Sequence, residues 1–74
     1  MEELFKYYLS EEEKYALIEK LTPELALLRA KAEISQEEIA NIIGTSRQTY
    51  GAIERKARKM SWNTYLSLVW FYDY

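Results

Sequence analysis

Ser35-Gln36-Glu37-Glu38-Ile39-Ala40-Asn41-Ile42-Ile43-Gly44-Thr45-Ser46-Arg47-Gln48-Thr49-Tyr50-Gly51-Ala52-Ile53-Glu54 reads as two short helices joined by one sharp turn. Ser35 with Glu38 three residues later is a capping box, in which each residue satisfies an orphan amide of the other and a helix starts. Ile39, Ala40 and Ile43 fall one turn apart on one side of that helix. Gly44 stops it, because glycine reaches a left-handed backbone conformation without steric cost. Ser46 is placed to cap a second helix whose inward positions are Tyr50 and Ile53. Ala40 is small, which suits the close backbone approach of two helices crossing steeply around a tight turn.

The outward face of the second helix carries chemistry. At about 100° per residue, Arg47, Gln48, Gly51, Ala52 and Arg55 share the side opposite Ile53. Arginine can donate two hydrogen bonds to the major-groove edge of guanine, and glutamine can do the same for adenine. Gly51 and Ala52 allow the helix to sit deep in a groove, and the Ala52 methyl can meet a thymine methyl. Arg47, Gln48, Gly51 and Ala52 are therefore the candidate base contacts, each good bidentate pair discriminating by roughly 1–3 kcal/mol. The plainer alternative is the solvated face of an ordinary surface helix. The turn before this face and the basic block after it argue for a helix-turn-helix, whose second helix lies in the major groove of duplex DNA.

These residues carry a family resemblance. Leu28-Arg29, Ile34-Ser35-Gln36-Glu37-Glu38-Ile39-Ala40, Gly44-Thr45-Ser46-Arg47-Gln48-Thr49 and Ile53-Glu54 resemble the Cro/lambdoid-repressor helix-turn-helix, often called the Xre family. The likeness spans roughly residues 22 to 72. In that family an arginine in the helix before the motif pairs with the glutamate closing the recognition helix, which implies an ion pair between Arg29 and Glu54. The family also grips a phosphate with the glutamine opening the first motif helix, here Gln36. Two positions depart from the pattern. Tyr50 stands where Ile or Val is usual and calls for a wider core or an outlet for its hydroxyl. Gly51 stands where Ser is common, and a mid-helix glycine costs roughly 1 kcal/mol against alanine.

The chain's net charge of −2 argues, taken alone, against a nucleic-acid partner. Its distribution reverses that. Residues 1–21 hold six glutamates against three lysines, net −3, whereas residues 44–63 hold five cations against Glu54 alone, net +4. The positive charge is thus concentrated in and just after the second motif helix, where a DNA backbone would run. Arg55, Lys56, Arg58 and Lys59 are the candidate phosphate contacts, with Gln36 and the cap residue Ser46 beside them. A solvated basic loop is the alternative, and the position of the cations directly after the motif argues against it. Backbone amides at the helix starts near Gln36 and Ser61 offer further phosphate donors.

Composition narrows the remaining classes. A chain of 74 residues makes one domain, and a core of that size supplies only a few kcal/mol. The absence of cysteine and histidine removes disulfides, the usual metal ligands, the thiol nucleophile and the commonest general base. No cofactor, no metal and no catalytic residue is expected. No apolar run approaches the roughly 20 residues of a membrane span, and nothing resembles a secretory signal. A reduced cytoplasmic setting in a bacterium or phage, at the nucleoid, is the expected location.

Elsewhere the chain supplies scaffold. Residues 1–8 read as a frayed turn or brief helix. Ser10 followed by Glu11, Glu12 and Glu13 reads as a cap with acids in the first turn, where the helix dipole favours them. Adjacent glutamates on a helix diverge by about 100°, so they suit neither metal binding nor paired acid–base work. Leu17, Ile18, Leu21, Leu25 and Leu28 continue one apolar stripe through Thr22-Pro23, read as the start of a new helix with Thr22 as its cap and Pro23 first. Residues 1–21 are then an acidic helical extension, and 22–74 the DNA-binding unit. The extension serves for packing, with a dimer element or a protein contact as alternatives.

Ser61 opens a last helix that is apolar nearly all round, through Tyr65, Leu66, Leu68, Val69, Trp70, Phe71 and Tyr72. A surface helix of a lone domain needs a polar back, so this one is expected to be covered on two sides. A second copy of the chain, or a continuation beyond residue 74, would supply the second cover. A base-stacking platform for single strands is a weaker reading, because aromatics at helical spacing are usually core.

The resulting expectation is an all-α, lambda-repressor-like bundle of four to five helices. It binds double-stranded DNA as a sequence-specific regulator, with repression the expected effect. It acts as a homodimer through its C-terminal aromatic helix, with half-sites about 34 Å apart. An antitoxin-like module that binds a toxin protein and its own operator is the alternative. A motif used only for protein contact and an enzyme are the weaker ones.

Overall fold

The computed structural model describes residues 9–74, so the expectation for residues 1–8 lies outside the described residues. Five α-helices and one 3-10 turn follow one another without a strand among the described residues: α1 (Glu11–Leu21), the 3-10 turn (Thr22–Glu24), α2 (Leu25–Ala32), α3 (Gln36–Ile43), α4 (Arg47–Glu54) and α5 (Trp62–Tyr72). The chain is all-α, as the sequence indicated.

Four of the five starts are written in serine. Ser10 Oγ accepts from the Glu13 amide at 3.1 Å while the Ser10 amide donates to Glu13 Oε1 at 2.8 Å. Ser35 and Glu38 repeat this box at 3.0 and 2.8 Å. Ser46 caps α4 by accepting from the Thr49 amide at 3.1 Å, and Ser61 caps α5 by accepting from the Thr64 amide at 3.1 Å. The fifth start corrects an expectation. Thr22 is no N-cap: its backbone is still helical, and its hydroxyl donates backward to the Ile18 carbonyl at 2.7 Å. Pro23 cannot donate to the preceding turn, so α1 ends there, a 3-10 turn follows, and α2 begins at Leu25 with no side-chain cap.

The helix ends share one device. Glu33, Gly44, Lys56 and Asp73 follow or close α2, α3, α4 and α5 in left-handed backbone, with φ of 57°, 79°, 65° and 53°. Each carries the paired carbonyl bonds of a Schellman ending; for α3, Gly44 N–H reaches the Asn41 carbonyl at 3.3 Å and Thr45 N–H the Ala40 carbonyl at 2.9 Å. Only at Gly44 is that conformation free of Cβ crowding.

Leu21, Leu25, Ile39, Ala40, Tyr50, Ile53, Met60, Tyr65 and Leu68 form one buried core. Every helix contributes, α1 through Leu21 with Leu17 and Ile18 packed beside it. Lys14 Nζ stands 5.6 Å from the Trp62 ring centre and Lys59 Nζ 4.3 Å from that of Tyr15, so α1 also touches α5 and the α4–α5 loop. Tyr74 donates to Glu24 Oε2 at 2.6 Å, which ties the far side of α5 to the start of α2.

The last helix is covered differently from expectation. Tyr65 and Leu68 are buried and Val69, Phe71 and Tyr72 half-buried, so the preceding helices cover more of α5 than one side. What stays open is the edge with Leu66 and Trp70, the latter 80% exposed.

Candidate nucleic-acid interface

Two helices meeting across Gly44 set the geometry. Tyr50 and Ile53 of α4 turn into the core at 0% and 3% exposure. The opposite face of α4 is thereby turned outward, and Arg47, Gln48 and Arg55 are exposed while Ala52 is half-buried. Arg47 and Gln48 occupy the first turn, held by the Ser46 cap.

Gly51 differs from the expectation of a base contact. It is buried, because two side chains lie over it: a Cβ built there would meet Arg55 Nη1 at 3.3 Å and Gln36 Oε1 at 3.5 Å. Its lack of a side chain makes room for Gln36 and Arg55, and any contact by Gly51 itself requires both to move. This stack brings Gln36, which opens α3, beside Arg55 just past the end of α4, although they are far apart in the chain.

The far end of α4 is locked. Arg29 of α2 donates from Nε to Glu54 Oε2 at 3.0 Å and from Nη2 to Glu54 Oε1 at 3.1 Å, and its Nη1 donates to the Ile34 carbonyl at 3.2 Å. Gln36 Nε2 donates the carboxylate's third hydrogen bond, to Oε1 at 3.1 Å. Side-chain exposure is 24% for Arg29 and 10% for Glu54, so the pair is sheltered and not dry. Burial pushes the Glu54 carboxyl up, but the hydrogen bonds from Arg29 and Gln36, the neighbouring Tyr50 phenol and the Arg29 charge outweigh it. The carboxyl is held below its usual value. The Glu54 carboxylate in turn holds the Arg29 guanidinium above its ordinary value.

Tyr50 finds no outlet. Its hydroxyl and that of Tyr72 are buried without a hydrogen-bond partner among the described residues. Burial raises the pKa of both phenols, and the Glu54 carboxylate adds to it.

The remaining phosphate candidates fall into two places. Gln36 and Arg55 sit together over Gly51, the Gln36 amide already aimed by Glu54. Ser46 is exposed, but its hydroxyl donates to Thr49 Oγ1 at 2.9 Å and accepts from the Thr49 amide, so its proton is committed locally. Lys56, Arg58 and Lys59 are exposed along the loop and line a cleft with α1. Tyr15, whose ring holds Lys59, had no signal in the sequence, since nothing local links a residue of α1 to a loop more than forty positions later. The Gln36–Gly51–Arg55 stack was hidden for the same reason.

No group of three or more His, Cys, Asp or Glu side chains able to hold a metal occurs among the described residues. No helix there is long and apolar enough to cross a membrane. Comparison with curated proteins and with solved structures returns no match. Residues 25–61, from the start of α2 to the cap of α5, match the family described as helix-turn-helix, of the Xre/Cro type. That segment contains the capped α3, the Gly44 bend, the outward face of α4 and the Arg29–Glu54 lock, and with them DNA binding. The chain belongs to the Xre/Cro-type helix-turn-helix family of DNA-binding domains.

Proposed function

We propose that this protein is a sequence-specific transcriptional regulator, acting as a repressor, that reads duplex DNA in the major groove with α4. The observation that carries the reading is the pair Arg47 and Gln48, exposed on the first turn of a helix whose other end is clamped to α2 and α3 through Glu54. Clamping matters because base readout needs side chains already in position when they reach the groove. Arg47, Gln48 and Ala52 read bases, and Gly51 lets the helix face stay low beneath Gln36 and Arg55. Gln36, Arg55, Lys56, Arg58 and Lys59, with Ser46 at the cap, meet backbone phosphates. Residues 22–74 form the DNA-binding unit and residues 1–21 an N-terminal extension, whose helix α1 packs against that unit.

The protein acts as a homodimer through α5. Ile42 and Ile43 of α3 with Leu66, Ser67 and Trp70 of α5 line an open groove of about 330 Å³, and this edge supports the pairing. Two such units present two α4 helices to half-sites about 34 Å apart. The setting is the cytoplasm of a bacterium or phage-infected cell, at the nucleoid. An antitoxin-like role places a toxin protein on the same apolar edge, and co-purification of a small basic protein in place of a second copy distinguishes it.

Selection from random duplexes followed by gel-shift titration tests the reading. A nearly palindromic consensus is expected. Equal recovery of all sequences, or no retention on duplex DNA at low salt, overturns it.

A further inference from the structure

The cleft between α1 and the α4–α5 loop has chemistry that base reading does not use. It encloses about 370 Å³. Lys56, Arg58 and Lys59 line it from the loop, and the one carboxylate on the other wall is Glu19. Among the described residues none of the three cations forms an ion pair; the ion pairs there are Lys14–Glu11 and Arg29–Glu54. Three cations against one carboxylate around one concavity focus a net positive potential within it.

The other wall is mixed, with an apolar patch beside Glu19 and Thr22. Tyr15 and Ile18 supply a ring and an apolar side chain, and Lys59 Nζ rests 4.3 Å from the Tyr15 ring centre. Thr22 has its proton committed to the Ile18 carbonyl, which leaves the cations as the donors. Lys56 also holds its place against its backbone: at φ 65° it occupies the position of a Schellman ending that glycine fills without strain.

We propose that this cleft binds a small phosphate-bearing anion with a planar or apolar body, the phosphate among Lys56, Arg58 and Lys59 and the body against Tyr15 and Ile18. Phosphate chemistry has two sources here, a free small molecule and the DNA backbone. The Tyr15–Ile18 patch favours the free molecule, because a duplex keeps its bases stacked inside and offers such a patch only sugar edges. Since the cleft shares its cations with the phosphate surface proposed above, an occupied cleft weakens DNA binding and lowers its salt dependence. Binding of the free anion itself requires no DNA, so it stands or falls apart from the regulator reading.

The test is an amide-shift titration of the whole chain at low salt with adenosine 5′-monophosphate. Inorganic phosphate and a short random duplex form separate arms. Adenosine 5′-monophosphate is expected to move amides in residues 15–22 and 56–59, to saturate as one site, and to bind more tightly than inorganic phosphate. Tyr15→Leu and Lys59→Ala each weaken it roughly threefold to fivefold, the range of an exposed cation–ring contact, while Arg47→Ala leaves it unchanged. Arg58→Gln, a change at an exposed loop position, gives the same weakening without touching the core. Shifts spread over Arg47 and Arg55, no saturation, or equal affinity for inorganic phosphate overturn the proposal. So does a duplex that moves Tyr15 and Thr22 when the nucleotide does not, which assigns the cleft to DNA.

Discussion

Glu54 is one carboxylate at the end of α4 that gathers Arg29 from α2 and Gln36 from α3. Removing Arg29 strands it in a sheltered site. Exposed pairs contribute up to about 1 kcal/mol and breaking dry ones costs 3–5 kcal/mol; at 24% and 10% exposure, Arg29→Ala should cost about 2 kcal/mol. In a domain of this size that lowers Tm by roughly 8–16 °C, and an unaltered melting curve would contradict the clamp. The same carboxyl sets an acid limit. Its folded pKa lies below the ordinary value of 4.5, so the unfolded chain binds the proton more readily. The stability it contributes is complete above about pH 4.5 and is lost as pH falls through the lower folded value. Glu13, held low by its hydrogen bonds to Ser10, acts in the same direction. Thermal melts from about pH 7 to about pH 3 should show Tm falling mainly in the acid part, with a shallower fall in Glu54→Gln. On the outward face, Arg47→Ala or Gln48→Ala should lose roughly 1–3 kcal/mol of discrimination at one base position. Competition titrations against single-base operator variants read this directly, and a loss uniform over all sequences would remove these residues from base reading.

Helix ends carry the clearest conflict between local preference and use. Three of the four left-handed endings are filled by Glu33, Lys56 and Asp73, where a side chain costs about 1–2 kcal/mol of crowding. Lys56→Gly should therefore raise stability by about 1 kcal/mol and flatten the salt dependence of DNA binding by about one unit. Opposite signs from one substitution separate backbone strain from phosphate contact. A variant that gains stability with an unchanged salt slope would show that Lys56 meets no phosphate. The element starts were legible in the chain because a serine cap and a glutamate three residues on act within one turn. Thr22 departs from that rule because threonine caps a helix by accepting, but a hydroxyl after a helix can equally donate to the carbonyl four residues back, as Thr22 does to Ile18.

Across the molecule, α1 and the last helix show how far non-local packing reaches. Trp70 is 80% exposed on the groove formed with Ile42 and Leu66, so Trp70→Glu should leave the Tm of the isolated chain within about 2–4 °C while dissociating a dimer. Sedimentation at several concentrations measures it, and a mass unchanged from wild type would move the interface elsewhere. What was legible from the amino-acid chain alone is local: the caps at Ser10, Ser35, Ser46 and Ser61, the stop at Gly44, and the inward turn of Tyr50 and Ile53, all governed by neighbours within about one turn. The Arg29–Glu54 partnership was legible only through family likeness. Three arrangements were settled by tertiary structure: Gly51 buried beneath Gln36 and Arg55, Lys59 seated on the Tyr15 ring, and an open edge left at Trp70. Each depends on how helices distant in sequence pack, because a side chain's exposure and partners are set by the neighbours that packing brings to it, and periodicity along one helix does not specify those.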